Sequence, residues 1–278
     1  MKESTLLSKV QPVRPIAPYV GGKRNLADRI VQRIARTPHD LYGEAFMGMG
    51  GVFFRRPHRA PAEVLNDYSR DVATTMRVLQ RHYVAFVDMI RWQLSSRAEF
   101  ERLLSIDPNT QTDLERAARF IYVQRLGFGG RVKGRTFGVH DRTASFDVTK
   151  LVPMLEAAHD RLAGVTIECL PWAEFLERYD RPGALFYLDP PYWGTEGVYG
   201  PGMFDRGQFE QLAETLGRLK GRFILSINDV PQIRRLFRSF RLEPIATTYT
   251  IAGGRRVAGK AGQARELLIT GGRCGRVR

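Results

Sequence analysis

Cysteine is nearly absent: Cys169 and Cys274 are the only two in 278 residues. Two thiols provide neither a disulfide framework nor a zinc-ligand spacing. The five histidines are scattered, with no His-Glu-x-x-His pair and no obvious triad, so no metal is expected. No apolar run approaches the roughly 20 residues needed to span a membrane. Residues 1–17 carry Lys2, Lys9 and Arg14 but no apolar core, which argues against a signal peptide and for a cytoplasmic location. There is no internal repeat and no low-complexity segment. Acidic residues are in the minority, 29 against 43 basic ones, for a net charge of +14. That balance favours a polyanionic partner, nucleic acid first and anionic membrane second; a merely soluble basic surface fits the charge equally well.

What is present is enough for one α/β domain with a sizeable insertion: 43% of the residues are hydrophobic, so a core can form. The chain is organised around Leu185-Phe186-Tyr187-Leu188-Asp189-Pro190-Pro191-Tyr192. Its apolar half reads as a buried strand. The strand delivers a carboxylate, two prolines and an aromatic ring to the end where open α/β sheets bind ligands. Pro190 and Pro191 fix φ and donate no backbone hydrogen bond, which leaves carbonyls free to accept. With the oxygens of Asp189 and the flat face of Tyr192, the group suits a planar ligand bearing an exocyclic amine. A strand ending in an ordinary Pro-rich turn is the plainer alternative.

Upstream, residues 1–16 read as a flexible leader. Pro18-Tyr19-Val20-Gly21-Gly22-Lys23-Arg24 follows, with glycines that permit close backbone approach and a lysine able to meet a carboxylate. Leu26, Ile30 and Ile34 continue at helical spacing. Leu41–Ala45 is a short predicted strand, followed by the Gly-rich turn Phe46-Met47-Gly48-Met49-Gly50-Gly51. Such a turn lets a cofactor lie against the backbone, but it lacks the third glycine spacing of a dinucleotide fingerprint. Glu63–Asn66 is a second strand. Asp67, just beyond it, is placed either to accept hydrogen bonds from ribose hydroxyls or to cap the next helix.

From Val72 to about Gly164 the pattern turns helical, with helices expected over Val72–Leu94 and Leu114–Leu126. Between later helices lies the stretch from Gly127 to Gly138, whose Arg131, Lys133 and Arg135 alternate with glycine and phenylalanine. That mixture suits phosphate contact and base stacking, or a solvated basic loop. Strands are expected at Val165–Leu170, Ala184–Leu188 and Arg222–Ile227, helices at Phe209–Leu219 and Ile233–Phe240, and a strand pair at Leu242–Ile251 and Glu266–Thr270. Trp193–Gly202 reads as an irregular loop, and Cys169 as a core residue rather than a nucleophile. Gly254 to Lys260 fits a phosphate-binding loop, but the next position is Ala261 instead of Ser or Thr, and a strand follows where a helix is required. Arg255, Arg256 and Lys260 are read instead as contacts to a DNA backbone.

Asp189-Pro190-Pro191-Tyr192, the Phe-x-Gly-x-Gly loop and the Gly-Gly-Lys turn together resemble the Dam-like adenine-N6 DNA methyltransferases of the D12 class, most of all those carried by phages and prophages. The resemblance runs from Pro18 to about Gly271. It implies a doubly wound, S-adenosylmethionine-dependent methyltransferase fold with a largely helical target-recognition insertion. The catalytic domain would comprise 1–71 and 165–278, and the insertion 72–164. It implies cofactor contacts from Tyr19, Gly22, Lys23, Phe46, Gly48, Gly50, Asp67 and Asp189, with Tyr19 and Lys23 at the methionine end. The catalytic set would be Asp189, Pro190, Pro191 and Tyr192, the partner double-stranded DNA. Many relatives read Phe-Asn-Gly where this chain has Phe128-Gly129-Gly130, so the usual sequence specificity is not carried over. Cytosine-N4 methylation, an RNA target, a non-catalytic basic DNA-binding module and a nicotinamide oxidoreductase remain as rivals at this point. The oligomeric state is not given by the residues.

Overall fold

A computed structural model describes residues 7–23, 25–138, 146–200, 202–248 and 263–272; Arg255, Arg256 and Lys260 lie outside them. Seven strands, numbered in chain order, form the main sheet: β1 (Leu41–Glu44), β2 (Ala62–Asn66), β3 (Thr166–Glu168), β4 (Ala184–Leu188), β5 (Arg222–Asn228), β6 (Arg241–Thr248) and β7 (Gln263–Gly272). Their order across the sheet is β3-β2-β1-β4-β5-β7-β6. The first five run parallel, and β7 is antiparallel to both of its neighbours.

The apolar run of β4 is continuous because both faces are buried. Leu185 and Tyr187 enter one core, while Ala184, Phe186 and Leu188 enter the other. The first core receives Ile30 and Ile34 from α1 (Ala27–Arg36). The second receives Phe175 from α7 (Trp172–Tyr179), Phe209 from α8 (Gln208–Arg218) and Ile233 from α9 (Pro231–Leu236). Helices therefore cover both faces of a mostly parallel sheet.

The chain leaves the sheet after β2 and returns at β3. Between them run α2 (Arg70–Arg81), α3 (Tyr83–Ile90), α4 (Arg97–Ser105), α5 (Asp113–Leu126) and α6 (Val148–Leu162). The single helix expected over Val72–Leu94 is two helices, broken at His82, whose backbone (φ −126°, ψ 33°) is not helical. Helix α4 went unpredicted although Ser96 and Glu99 announce it: the Ser96 hydroxyl accepts the Glu99 amide at 3.4 Å, a Ser-x-x-Glu helix start. Helices α6 and α7 were also unpredicted. Helix α5 opens with a full capping box between Thr112 and Glu115. It is buried almost all round, so its arginines are satisfied internally: Arg119 Nε donates to the Leu103 carbonyl at 2.7 Å, and Arg116 meets Asp71 at 3.3 Å.

Two further expectations change. Residues 7–16 are not a loose leader: Ser8–Lys9 pairs with His58–Arg59, and Ile16 is fully buried. Apolar Leu7, Val13 and Ile16 draw the segment onto the core. Cys169 is half-buried at the edge of the sheet rather than in the core, and burial raises its thiol pKa.

The returning helix is fastened to the sheet by a buried carboxylate. Glu63 of β2 takes Arg161 of α6 at 2.6 and 3.0 Å and Arg56 at 2.6 Å. Burial pushes the Glu63 pKa up, but the bonds from Arg161 and Arg56 outweigh it and hold it below the ordinary range. Arg56 lies 3.6 Å from the centre of the Tyr42 ring, and Arg161 3.9 Å from that of Phe53. Removing one member of a buried ion network strands the others and costs roughly 3–5 kcal/mol. Glu63→Ala is expected to lose stability of that order in urea denaturation; a loss below about 1 kcal/mol, the worth of a surface pair, would contradict the assignment.

Candidate active site

A cavity of about 1130 Å³ opens at the C-terminal ends of β1, β2 and β4. Small-molecule pockets usually measure about 300–1,000 Å³, so this cavity is at the large end of that range or beyond it. Tyr19, Gly22, Lys23, Phe46, Gly48, Asp67, Asp189 and Pro191 all line it. Gly50, Pro190 and Tyr192, also expected there, are not among its lining residues. Gly50 has φ +67°, and a Cβ would fall 2.5 Å from the Phe54 ring, so no larger residue fits that turn.

Asp189 is fixed from two sides. Lys23 Nζ lies 2.6 Å from its Oδ1, and the Ser226 hydroxyl donates to the same oxygen at 3.2 Å. Oδ2 makes no hydrogen bond among the described residues. Lys23 is itself buried, and its three protons are all placed, with the other two going to the Tyr192 hydroxyl at 2.8 Å and the Gly21 carbonyl at 3.2 Å. Burial pushes the Asp189 pKa up, opposed by Lys23 and then Ser226. The Ser226 hydroxyl also meets the Tyr187 hydroxyl at 2.8 Å. Beyond Tyr192, Asn228 clamps the next residue from both sides: its Oδ1 accepts the Trp193 amide at 2.9 Å, and its Nδ2 donates to the Trp193 carbonyl at 3.0 Å. The loop that follows contains a short 3-10 turn, Glu196–Tyr199, where no helix was expected.

On the other side of the cavity, Asp67 ties the Gly-rich turn to the end of β2. Its Oδ2 accepts the Gly48 amide at 2.7 Å and its Oδ1 the Ser69 amide at 2.9 Å. Helix α2 is capped by Ser69, without a side-chain bond, so Asp67 is not its cap. Burial raises the Asp67 carboxyl to about 6, against the pull of these two amides. Gly48 has φ +52°, and a Cβ there would reach the Tyr19 ring at 3.0 Å. Tyr19 and Tyr199 approach to 6.0 Å between ring centres.

The insertion reaches the same place. Gln124 of α5 donates to the carbonyls of Pro18 and Gly130, each at 2.8 Å, and the Val20 amide donates to the Gly130 carbonyl at 2.9 Å. A Cβ at Gly130 would lie 2.9 Å from the Tyr19 amide nitrogen, whereas one at Gly129 meets nothing within 4 Å. Arg131 and Lys133 are exposed. Arg135 is turned inward, with Nη2 on the Gln124 side-chain oxygen at 2.8 Å and Nε on the Arg131 carbonyl at 3.1 Å.

Several residues here escaped the sequence reading: Ser226, Asn228, Gln124, Glu266 and Glu44. Glu266 of β7 is buried, and its carboxyl lies close enough to the Tyr192 hydroxyl for each to shift the other's pKa. Glu44 is the last residue of β1 and lines the cavity. It accepts the Tyr42 hydroxyl at 2.6 Å. Burial carries its pKa to about 8, against the hydrogen bond from Tyr42 and the charge of Arg56. An acidic residue two positions before the Gly-rich turn was the available signal.

Residues 19–251 match the D12 class N6 adenine-specific DNA methyltransferase family. The chain is 26% identical to a type II methyltransferase of Lactococcus lactis subsp. cremoris, M1.LlaDCHI, over 93% of this chain and 95% of that protein. It is 22% identical to the retron Ec67 DNA adenine methylase of Escherichia coli, over 93% and 92%. With the type II methyltransferase M.CviBI of Paramecium bursaria Chlorella virus NC1A the identity is 21%, over 81% and 86%.

The raised carboxyls give the unliganded protein a pH signature. A carboxyl whose pKa is higher folded than unfolded contributes stability that is complete below the unfolded value and disappears as pH rises through the folded one. Asp67 and Glu44 set that window, through about 6 and about 8. Denaturant unfolding is expected to show stability falling between about pH 5 and about pH 8, with Glu44→Gln flattening the upper half. Stability that climbs across this window would contradict the assignment.

Proposed function

The chain belongs to the D12 class of N6 adenine-specific DNA methyltransferases, and from that premise we propose how its residues methylate adenine N6 in DNA with S-adenosylmethionine as the donor. The shared cavity of Lys23, Gly48, Asp67 and Asp189 carries the reading. The residues fit such a cofactor: a glycine cradle that a Cβ at Gly48 would close, half-buried carboxyls, and the Tyr19 ring. Tyr19, Gly22 and Lys23 would hold its amino-acid end, Lys23 first giving up one of its three present partners, and Phe46, Gly48, Gly50 and Asp67 its adenosine. Two lone-pair positions of Asp67 remain for ribose hydroxyls after its two amide bonds. When bound, S-adenosylmethionine supplies an electrophilic methyl group.

The amine of adenine is a poor nucleophile, because its lone pair is delocalised into the ring. Asp189 Oδ2 and the Pro190 carbonyl would accept its two N–H groups, drawing density onto nitrogen and favouring the pyramidal, attacking form. Aimed acceptors of this kind act by electrostatics and orientation. Lys23 opposes the upward pull of burial on the Asp189 pKa and holds the carboxyl in place, and Pro191 stiffens the turn. Tyr192, with its hydroxyl on Lys23, would offer a ring face to the base, worth roughly 1–3 kcal/mol. The target base leaves the helix stack to arrive here. Asp189→Ala is expected to lower turnover by about 10²–10³-fold in a labelled-methyl assay while the protein stays folded; near-normal turnover would remove Asp189 from the mechanism.

For DNA, Arg131, Lys133 and Arg135, together with Arg255, Arg256 and Lys260, are proposed as contacts; Arg135 would first have to leave Gln124. Gly129 supplies no edge-reading group, and phosphate contacts carry no sequence. Relaxed specificity follows: adenine methylated in many contexts, with at most a short preference. Sequencing of DNA methylated at limiting enzyme is expected to show this, and modification confined to one motif of four or more bases would overturn it. An Asn at position 129 has open space, and φ +68° is tolerable for that residue. Since Asn reads adenine bidentately, for about 1–3 kcal/mol of discrimination, Gly129→Asn is expected to narrow the contexts.

A further inference from the structure

Among the described residues, Glu44 forms no ion pair. It sits at the end of β1 with Tyr187 of β4 and Leu65 of β2 as its sheet neighbours. The groups that bear on it are Tyr42 on its own strand, Arg56, Glu63 of β2 and, beyond β4, Asp189; Tyr187 also lies within electrostatic reach. Arg56, the one cation among them, is committed to Glu63 at 2.6 Å and to the Tyr42 ring. Lys23 is committed to Asp189, Tyr192 and Gly21. The arginines that line the cavity are Arg14, Arg55 and Arg125. Of these, Arg55 and Arg125 donate to the carbonyls of Gly51 and Ile16. Among the described residues, Glu44 receives one hydrogen bond, from Tyr42 to Oε1.

A buried carboxyl in this position keeps its proton until a positive charge arrives. The cavity it lines also holds Asp67 and Asp189, two more carboxyls with raised pKa values. S-adenosylmethionine carries two positive centres, the sulfonium and the α-ammonium. We infer that Glu44 is a cofactor-site carboxyl that releases its proton to solvent when such a cation enters, and then pairs with that cation as a carboxylate. No covalent bond forms or breaks beyond the O–H bond of the carboxyl, and the proton goes to the buffer. The inference rests on S-adenosylmethionine being the cofactor.

Burial holds the Glu44 pKa up at about 8, so binding near pH 7 should release a measurable fraction of a proton, and less as pH rises through that value. By linkage, affinity should rise up to about tenfold per pH unit below that value and level off above it. The test is calorimetric titration of the whole protein with S-adenosylmethionine, S-adenosylhomocysteine and adenosine, in buffers of different ionisation enthalpy. Proton release with S-adenosylmethionine, lost in Glu44→Gln, is the expected result. Release with S-adenosylhomocysteine as well assigns the α-ammonium as the partner; release with S-adenosylmethionine alone assigns the sulfonium. Tyr42→Phe provides a second variant: without the hydroxyl that favours the carboxylate, the pH midpoint of release should move upward. Equal release by Glu44→Gln, equal release on adenosine binding, or none at all from a protein that binds S-adenosylmethionine would overturn the inference. A folded protein that does not bind S-adenosylmethionine would overturn the cofactor reading instead.

Discussion

A carboxylate at the buried end of a central strand needs a cation, and here Asp189 takes its cation from the opposite end of the sequence. Lys23 is 4% exposed, and every proton it carries is spoken for. Meeting Asp189 obliges the segment before α1 to cross the open end of the sheet, which closes one wall of the cavity. The burial of Ile16 and Ala17 and the paired strands at Ser8–Lys9 and His58–Arg59 then anchor that segment from behind. Lys23 also fixes the Tyr192 hydroxyl, so a single ammonium orients both polar ends of the Asp-Pro-Pro-Tyr turn. Leaving that carboxylate unpaired would be costly, which makes the pair a constraint on the path of the chain as well as a feature of the site.

Charge is not spread evenly. The chain as a whole carries +14, and Arg131 and Lys133 stand exposed on the insertion. A basic exterior raises the local concentration of a polyanion. The cavity is mixed: Glu44, Asp67 and Asp189 line it together with Arg14, Lys23, Arg55 and Arg125. Groups of both signs inside one cavity suit a ligand that itself carries both signs, as an amino acid does.

Much of the architecture was legible because its signals are local. The β4 run, the Gly-rich turn and the helical spacing of Leu26, Ile30 and Ile34 each depend on neighbours within a few residues. The break at His82 was not legible, because Val72–Leu94 is apolar at helical spacing on both sides of it; backbone geometry, not composition, divides the helix. In the site, types with a motif were readable and types supplied by distant packing were not. Lys23 was expected to meet a carboxylate and does so. Ser226, Asn228 and Gln124 lie in an ordinary strand or helix by sequence, and only the register of β5 beside β4 and the placement of α5 bring them to Asp189, Trp193 and Pro18. The position of Arg135 was not readable for the same reason: its partner, Gln124, lies on the preceding helix.

Gln124 shows how closely the insertion and the cofactor side are joined. Its amide nitrogen bridges the carbonyls of Pro18 and Gly130, and its oxygen takes Arg135. Gly130 in turn accepts the Val20 amide and sits too close to Tyr19 to carry a side chain. Three segments therefore share one hydrogen-bonded junction: the turn before Lys23, the end of α5, and the basic loop after it. Buried polar junctions of this kind hold only while every member is satisfied. Withdrawing Arg135 toward a phosphate would leave the Gln124 oxygen without its partner, beside the backbone that carries Tyr19. Displacing Tyr19 would press on Gly130. Energetic coupling between two binding events is reciprocal by thermodynamic necessity, so if Arg135 meets DNA and Tyr19 meets cofactor as proposed, any effect of one on the other across this junction runs equally in both directions.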